Sequence, residues 1–280
     1  MNTIKLTNLI KSKFRAAGIT DPSESEFLIC EAANLKRHQL AQGKMLTRAQ
    51  VAKVKRWATR RVAGEPLSII SKSAYFYGRK FFVNSRCLSP RPETEELTEL
   101  AGSAAQKAAQ EGERKNFAVL DLCTGSGAIA ITLNLEFGVK RVLATDVSKQ
   151  ALRIARKNAE TLGADVKFIT SDLFDKVRGK FDLIVSNPPY ISEAEFSVLM
   201  PEVRNFEPKI ALVAKNDGLE FFDKIISKAP NFLNTGGQIF FEVGKRQAKT
   251  VAKMLEKEFN NIKIIKDLEG VDRFVSGCLK

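Results

Sequence analysis

The run Phe117-Ala118-Val119-Leu120-Asp121-Leu122 is apolar at consecutive positions, and it leads straight into Cys123-Thr124-Gly125-Ser126-Gly127 and an apolar stretch over 128–135. A strand that is apolar on both faces belongs in a parallel sheet covered on each side by helices. Glycines at 125 and 127 let the backbone turn tightly into the next helix and approach a ligand closely. The unit then repeats. Residues 141–145 read as a second strand ending at Asp146, a helix fits 149–162, and a third strand over 166–170 ends in Ser171-Asp172-Leu173-Phe174. The run Phe181-Asp182-Leu183-Ile184-Val185-Ser186 is a fourth strand, ending in Asn187-Pro188-Pro189-Tyr190. Strands alternating with helices predict an α/β fold around a mostly parallel sheet. Further helices fit 218–229 and 245–259, with strands over 238–243, 262–266 and 273–276.

The preceding residues read differently. Residues 1–72 are predicted to form a small helical domain. Ile4, Leu6, Leu9, Ile10 and Phe14 recur at helical spacing, and Gly18 can end that helix. Asp21 is placed to cap the next helix, with Pro22 at its first position. Thr47-x-x-Gln50 is a capping box for a helix over 48–63, whose Val51, Val54, Ala58 and Val62 line one face, and Gly64-Glu65-Pro66 stops it. Residues 73–83 suggest a hairpin turning at Gly78. Residues 73–92 form a hairpin and linker, 93–110 a helix, Glu111-Gly112-Glu113 a polar turn, and 93–280 the larger domain. The basic, acid-free start also resembles a mitochondrial transit peptide, but a folded first helix accounts for it better, which favours a cytoplasmic protein over a matrix one.

Composition removes several classes. No apolar run reaches the ~18 residues a membrane span needs. The cysteines at 30, 87, 123 and 278 have no metal-ligand or CxxC spacing, so no metal site is expected and the thiols suit a reducing compartment. His38 is the sole histidine, which excludes mechanisms needing two imidazoles. Residues 1–72 carry fourteen Lys and Arg against five Asp and Glu, or +9 of the total +13. A field of that sign speeds encounter with an acidic protein or with RNA, and docking of a protein substrate is the reading adopted.

In an open α/β sheet, ligands bind beyond the carboxyl ends of the strands. Four candidate groups fall there. Two consecutive prolines supply no N–H, so the chain must leave the sheet at Pro188 and Pro189 with both φ angles fixed. The Asn187 side-chain oxygen and a neighbouring carbonyl then form a paired acceptor suited to a planar NH2 group, with the Tyr190 ring beside it. Gly125-x-Gly127-x-x-Ala130 followed by Asp146 also meets a loose dinucleotide fingerprint. Asp121 beside the loop would repel a pyrophosphate and suit a cationic amino-acid group, Asp146 suits ribose hydroxyls, and Asp172 offers a carboxylate on the adenine side. Together these favour S-adenosylmethionine over a nicotinamide.

With those residues in place, the chain resembles the class I methyltransferases, and within them the release-factor N5-glutamine methyltransferase family. The resemblance runs nearly end to end: Gly64-Glu65-Pro66-Leu67, Tyr77-Gly78-Arg79-Lys80-Phe81-Phe82-Val83, Pro90-Arg91-Pro92-Glu93-Thr94-Glu95, the loop 121–127, Asn187-Pro188-Pro189-Tyr190-Ile191, Phe206-Glu207-Pro208, Glu242-Val243-Gly244 and Asp272-Arg273-Phe274. The proline-proline tetrapeptide is shared with adenine and guanine N-methyltransferases, and the segment 90–95 narrows the choice. Enzymes that methylate a glutamine of a large-subunit ribosomal protein are the nearest alternative. Cys123 stands where the family more often has glycine, as it does in that ribosomal-protein branch.

The resemblance implies a seven-stranded sheet closed by an antiparallel pair, with S-adenosylmethionine held by residues 123–127 (Cys123, Thr124, Gly125, Ser126, Gly127), Asp146, Asp172 or Leu173, and Asn187. It implies methylation of the glutamine side-chain amide in the Gly-Gly-Gln loop of class 1 peptide-chain release factors. Asn187, Pro188, Pro189 and Tyr190 would carry the chemistry, and Glu93, Thr94 and Glu95 would shape the pocket wall.

Overall fold

A computed structural model describes residues 1–110 and 116–280, so the turn expected at Glu111-Gly112-Glu113 lies outside the described residues. The chain divides into two compact units, one of residues Met1–Ser73 with Met200–Phe206, the other of Ala74–Leu199 with Glu207–Lys280.

The smaller unit is helical, with helices Thr3–Ala16, Pro22–Ala33, His38–Ala41, Arg48–Val62 and Leu67–Ser71. Capping follows the sequence. Asp21 accepts from Ser23 N at 2.8 Å, and Thr47 and Gln50 close a reciprocal box at 3.1 and 3.0 Å. Gly64 ends the fourth helix at φ 90°. The packed faces are narrower or differently placed than periodicity suggested. Leu6, Ile10 and Phe14 are buried, whereas Ile4 and Leu9 are each 45% exposed, because the second, third and fourth helices together cover only one face of the first. On the fourth helix the buried face is Val54, Trp57, Ala58 and Arg61, and Val62 is exposed. Arg61 is buried because it binds two carboxylates. It donates to Glu24 at 2.6 and 3.1 Å and to Glu202 at 2.7 Å. Glu202 lies on the short helix Pro201–Phe206, an element the periodicity did not reveal.

The larger unit opens with a hairpin of β1 (Ser73–Phe76) and β2 (Arg79–Phe82). Tyr77 and Gly78 both have positive φ, 51° and 69°, the backbone a two-residue hairpin turn demands. The main sheet comprises β3 (Ala118–Leu122), β4 (Arg141–Asp146), β5 (Lys167–Thr170), β6 (Phe181–Ser186), β7 (Leu233–Glu242), β8 (Phe259–Lys266) and β9 (Asp272–Leu279), in the order β5-β4-β3-β6-β7-β9-β8. β9 alone runs antiparallel to its neighbours. This is the class I methyltransferase sheet with its closing antiparallel pair. Ile184 enters one core layer while Leu183 and Val185 enter the other, which is why β6 is apolar at consecutive positions.

Some boundaries differ from the sequence reading. The helix expected over 245–259 is Ala248–Leu255, since Phe259 already belongs to β8. The helix expected over 218–229 starts at Glu220, and strands β7, β8 and β9 are all longer than periodicity suggested.

Register determines what sits together. Leu122 at the end of β3 pairs with Thr145 of β4 and with Ser186 of β6, and Ser186 pairs with Phe241 of β7. Asp146 pairs with Thr170 of β5. The next residues, Cys123, Asp146, Ser171, Asn187 and Glu242, therefore emerge along one edge.

Candidate active site

Along that edge the strand ends open into a cleft enclosing ≈ 690 Å³ of space free of protein atoms, part of it open solvent. Its walls include Cys123, Gly125, Asp146, Asp172, Leu173, Asn187 and Pro189, so most of the residues expected to hold a nucleoside-bearing cofactor share one cavity. Asp146 organises its floor. One carboxylate oxygen accepts from Gly125 N at 2.9 Å and the other from Ser148 N at 2.8 Å, tying the first glycine loop to the following helix. Burial pushes the Asp146 carboxyl up, and these two N–H donors pull it back.

The two loop glycines play different parts. At Gly125, φ is 56° and a Cβ would meet nothing within 4 Å, so this residue leaves the cradle open. At Gly127 a Cβ would lie 3.0 Å from Ile131 Cδ1 and 3.1 Å from Ala155 Cβ, so its role is close helix packing. Cys123 adopts φ 62°, the left-handed region that explains a glycine preference there. Its thiol is held well above the ordinary range, by burial first and then by Asp146 and Asp121. Leu173 is likewise left-handed, at φ 44°.

Asp121 is placed otherwise than its position at the strand end suggested. It is wholly buried, with one oxygen accepting from Thr124 Oγ1 at 2.6 Å and the other without a partner among the described residues. Burial pushes its carboxyl up to about 7, opposed by the Thr124 hydroxyl and the Ala130 N–H. Thr124 and Ser126 are also buried, and Thr124 spends its hydroxyl on Asp121. These three residues shape the loop from beneath.

The proline bend is fastened from behind. Asn187 Nδ2 donates to Thr94 Oγ1 at 3.1 Å, and Thr94 Oγ1 donates to Glu242 Oε2 at 2.7 Å. Tyr190 O–H donates to the other Glu242 oxygen at 3.1 Å. The Tyr190 carbonyl accepts from Gln247 Nε2 at 2.9 Å. Burial raises the Glu242 carboxyl, and the Thr94 and Tyr190 hydroxyls and the charge of Arg273 oppose the rise. Tyr190 is raised by burial and by Glu242. The Pro188 carbonyl and Asn187 Oδ1 accept no hydrogen bond from the described residues, which leaves two unused acceptors on consecutive residues of the bend.

Two of the sequence segments noted above meet in a further pair. Arg91 donates from one nitrogen to both oxygens of the buried Glu207, at 2.7 and 2.6 Å. Thr94, Glu242 and Gln247 carry this support, and sequence reasoning had not given them that part. A lone Glu closing the apolar run Ile239-Phe240-Phe241 was the one available signal, because a buried carboxylate requires partners.

Residues 5–71 match the family model described as the PrmC N-terminal domain, and residues 106–202 that of the Methyltransferase small domain. A release factor glutamine methyltransferase of Chlorobaculum tepidum is 37% identical, over 98% of this chain and 96% of its own. The chain belongs to the release factor glutamine methyltransferase family. A family member from Bacillus cereus is 36% identical over 94% of this chain and 95% of its own. In fold, a methyltransferase from Pyrococcus furiosus superposes at TM-score 0.54 with 21% identity, covering 79% of this chain and 96% of that one. A T. thermophilus 16S rRNA methyltransferase, solved with AdoMet and guanosine, gives TM-score 0.50 at 18% identity, covering 74% of this chain and 50% of that one.

Proposed function

We propose that this enzyme uses S-adenosylmethionine to methylate the side-chain amide nitrogen of the glutamine in the Gly-Gly-Gln loop of class 1 release factors, acting in the cytoplasm. The observation that carries the reading is the pair of acceptors left unused among the described residues, Asn187 Oδ1 and the Pro188 carbonyl, with Asn187 and Pro189 on the wall of the cleft that Asp146 and Gly125 share. Asp146 and the open face of Gly125 suit the nucleoside part, and Asp172 and Leu173 suit the base. When bound, the cofactor supplies a methyl group on a positively charged sulfur.

The glutamine nitrogen is a poor nucleophile because its lone pair is delocalised into the amide carbonyl. The Asn187 oxygen and the Pro188 carbonyl accept its two N–H groups and hold its orientation. As the nitrogen gains positive charge on bonding, both acceptors bind it more strongly, which stabilises the transition state over the ground state, and the nitrogen then releases one proton to water to leave the neutral methylated amide. Orientation of this kind supplies several kcal/mol of a maximum of about 7–11. The Tyr190 hydroxyl ties the bend to Glu242. The positively charged helical unit is assigned to docking the release factor.

Incubation with labelled cofactor and purified release factor, ribosomal protein, total RNA or DNA tests the substrate class, with label expected in the release factor. Asn187→Ala tests the chemistry. Turnover is expected to fall far more than cofactor affinity. Equal losses in the two would assign Asn187 to cofactor binding instead.

A further inference from the structure

We propose that Thr94 and Glu242 are positioning residues that dictate which end of the Asn187 amide faces the substrate. This rests on the reading of Asn187 as an acceptor clamp and adds a requirement to it. The two ends of an asparagine amide are nearly the same size, so shape alone does not choose between them. Facing inward, the oxygen accepts an N–H of the substrate amide. Facing inward, the NH2 meets another NH2, donor against donor.

The selection is made two residues away from the substrate. A threonine hydroxyl has one proton to give. Thr94 gives it to Glu242 Oε2 at 2.7 Å, a distance within the range of a charge-assisted hydrogen bond. The second Glu242 oxygen takes the Tyr190 proton at 3.1 Å. Each Glu242 oxygen thus accepts from one hydroxyl, and the protons of Thr94 and Tyr190 are both given to that carboxyl group. Thr94 Oγ1 is left with lone pairs only, and Asn187 satisfies it by turning its NH2 that way, at 3.1 Å. The oxygen of Asn187 is then the free end.

The chain of donors is also held in place. Thr94 is 5% exposed and Glu242 2% exposed, so water does not compete freely for either. Thr94 N donates to Arg91 O at 3.1 Å and the Thr94 carbonyl accepts from Thr98 Oγ1 at 2.8 Å, which fixes Thr94 in the first turn of helix Pro92–Gln110. Glu242 is the last residue of β7, paired with Phe274 of β9. Arg273, the residue before Phe274, supplies a positive charge that opposes the rise burial gives the Glu242 carboxyl. Register at the strand ends thus delivers a proton sink to the back of the clamp.

Full-length Thr94→Val, Thr94→Ser, Glu242→Gln and Asn187→Ala variants test this, with S-adenosylmethionine affinity by calorimetry and kcat and KM on release factor. Valine matches the shape of threonine without the hydroxyl. Thr94→Val is expected to lower kcat about tenfold or more, the worth of one orienting hydrogen bond, while cofactor Kd and KM stay within about threefold. Thr94→Ser, which keeps the hydroxyl, is expected to restore kcat to within about threefold. Glu242→Gln can lend a proton to Thr94 and free the amide to turn, so kcat is expected to fall with cofactor Kd retained. The side-chain NH2 signals of Asn187 in a 15N spectrum should move in Thr94→Val and Glu242→Gln and stay in Thr94→Ser.

Wild-type kcat in folded Thr94→Val would overturn the proposal, as would a Thr94→Ser variant as impaired as Thr94→Val, which would assign the effect to packing. Parallel losses of kcat and cofactor affinity would also overturn it. If Thr94→Val does not fold, the Glu242→Gln result decides alone. Full turnover in Asn187→Ala would instead refute the clamp on which the proposal rests.

Discussion

Asp121 makes a prediction that can be worked from the structure in both sign and size. Its carboxyl is wholly buried in β3, has one oxygen without a partner among the described residues, and is raised from 3.8 to about 7. Between those two values the folded chain holds a proton that the unfolded chain has released. The group therefore contributes stability that is fully present below about pH 4 and is lost as pH rises through about 7. Linkage from a folded value of about 7 gives about 2 kcal/mol of extra stability at pH 5.5 relative to pH 8.5. Asp121→Asn removes the titration and retains an oxygen for the Thr124 hydroxyl. Its own packing cost is independent of pH and cancels when stabilities at two pH values are subtracted. The assay is urea unfolding followed by far-ultraviolet circular dichroism, for both proteins at both pH values and without cofactor. Wild type should lose about 2 kcal/mol more than the variant on going from pH 5.5 to 8.5. Parallel pH dependences would refute the argument, since they would mean Asp121 is ionised in the folded chain throughout that range.

The remaining predictions concern other parts of the molecule. Gly218→Ala places a Cβ 2.1 Å from the Tyr190 carbonyl oxygen at φ 83°, so unfolding midpoints should report a loss of about 2–3 kcal/mol, with kcat reduced as the bend shifts. Gly125→Ala has room for its Cβ, so its stability cost should be only about 1–2 kcal/mol of left-handed strain, whereas calorimetry should show weakened S-adenosylmethionine binding. Arg61→Met strands Glu24 and Glu202, and with those carboxylates partly solvated a cost of about 2 kcal/mol is expected, read by the fluorescence of Trp57, the sole tryptophan. Charge reversal on the exposed Arg48, Lys55 and Arg56 should raise KM for release factor about three- to tenfold at low salt and less at high salt. Lys53 and Arg60 are poorer targets, because one lies over the Trp57 ring and the other pairs with Glu65.

What was legible in the sequence follows from the range of the interactions involved. The proline bend, the glycine loop and Asp146 could be read because each is a local signal: two missing N–H groups, two left-handed glycines, a carboxylate closing an apolar strand. The larger sheet was legible for the same reason, strand by strand. The helix over 245–259 was overdrawn because Leu255 and Phe259 are four residues apart, a helical spacing, although Phe259 begins β8 and pairs with Leu279 of β9. Trp57 and Arg61 escaped the fourth helix because a buried arginine depends on acids elsewhere in the chain. Thr94 and Glu242 lie 93 and 148 positions from their respective partners Asn187 and Thr94, so no local pattern joins them.

That distance in sequence is what the bend requires. With no N–H at Pro188 or Pro189, the segment cannot be held by a continued ladder, and among the described residues its backbone ties resume at Ile191, which donates to Leu212 O at 2.9 Å and accepts from Ala214 N at 2.9 Å. Everything between Ser186 and Ile191 must be positioned by side chains from other elements: Thr94 on the Asn187 amide, Glu242 on the Tyr190 hydroxyl, Gln247 on the Tyr190 carbonyl. The ties use Asn187 Nδ2, the Tyr190 hydroxyl and the Tyr190 carbonyl, so none consumes Asn187 Oδ1 or the Pro188 carbonyl. A clamp built this way is rigid before substrate arrives and costs little reorganisation when charge develops on the bound nitrogen. The family segments around Thr94, Glu242 and Arg273 are intelligible on this view as the back wall of the proline bend.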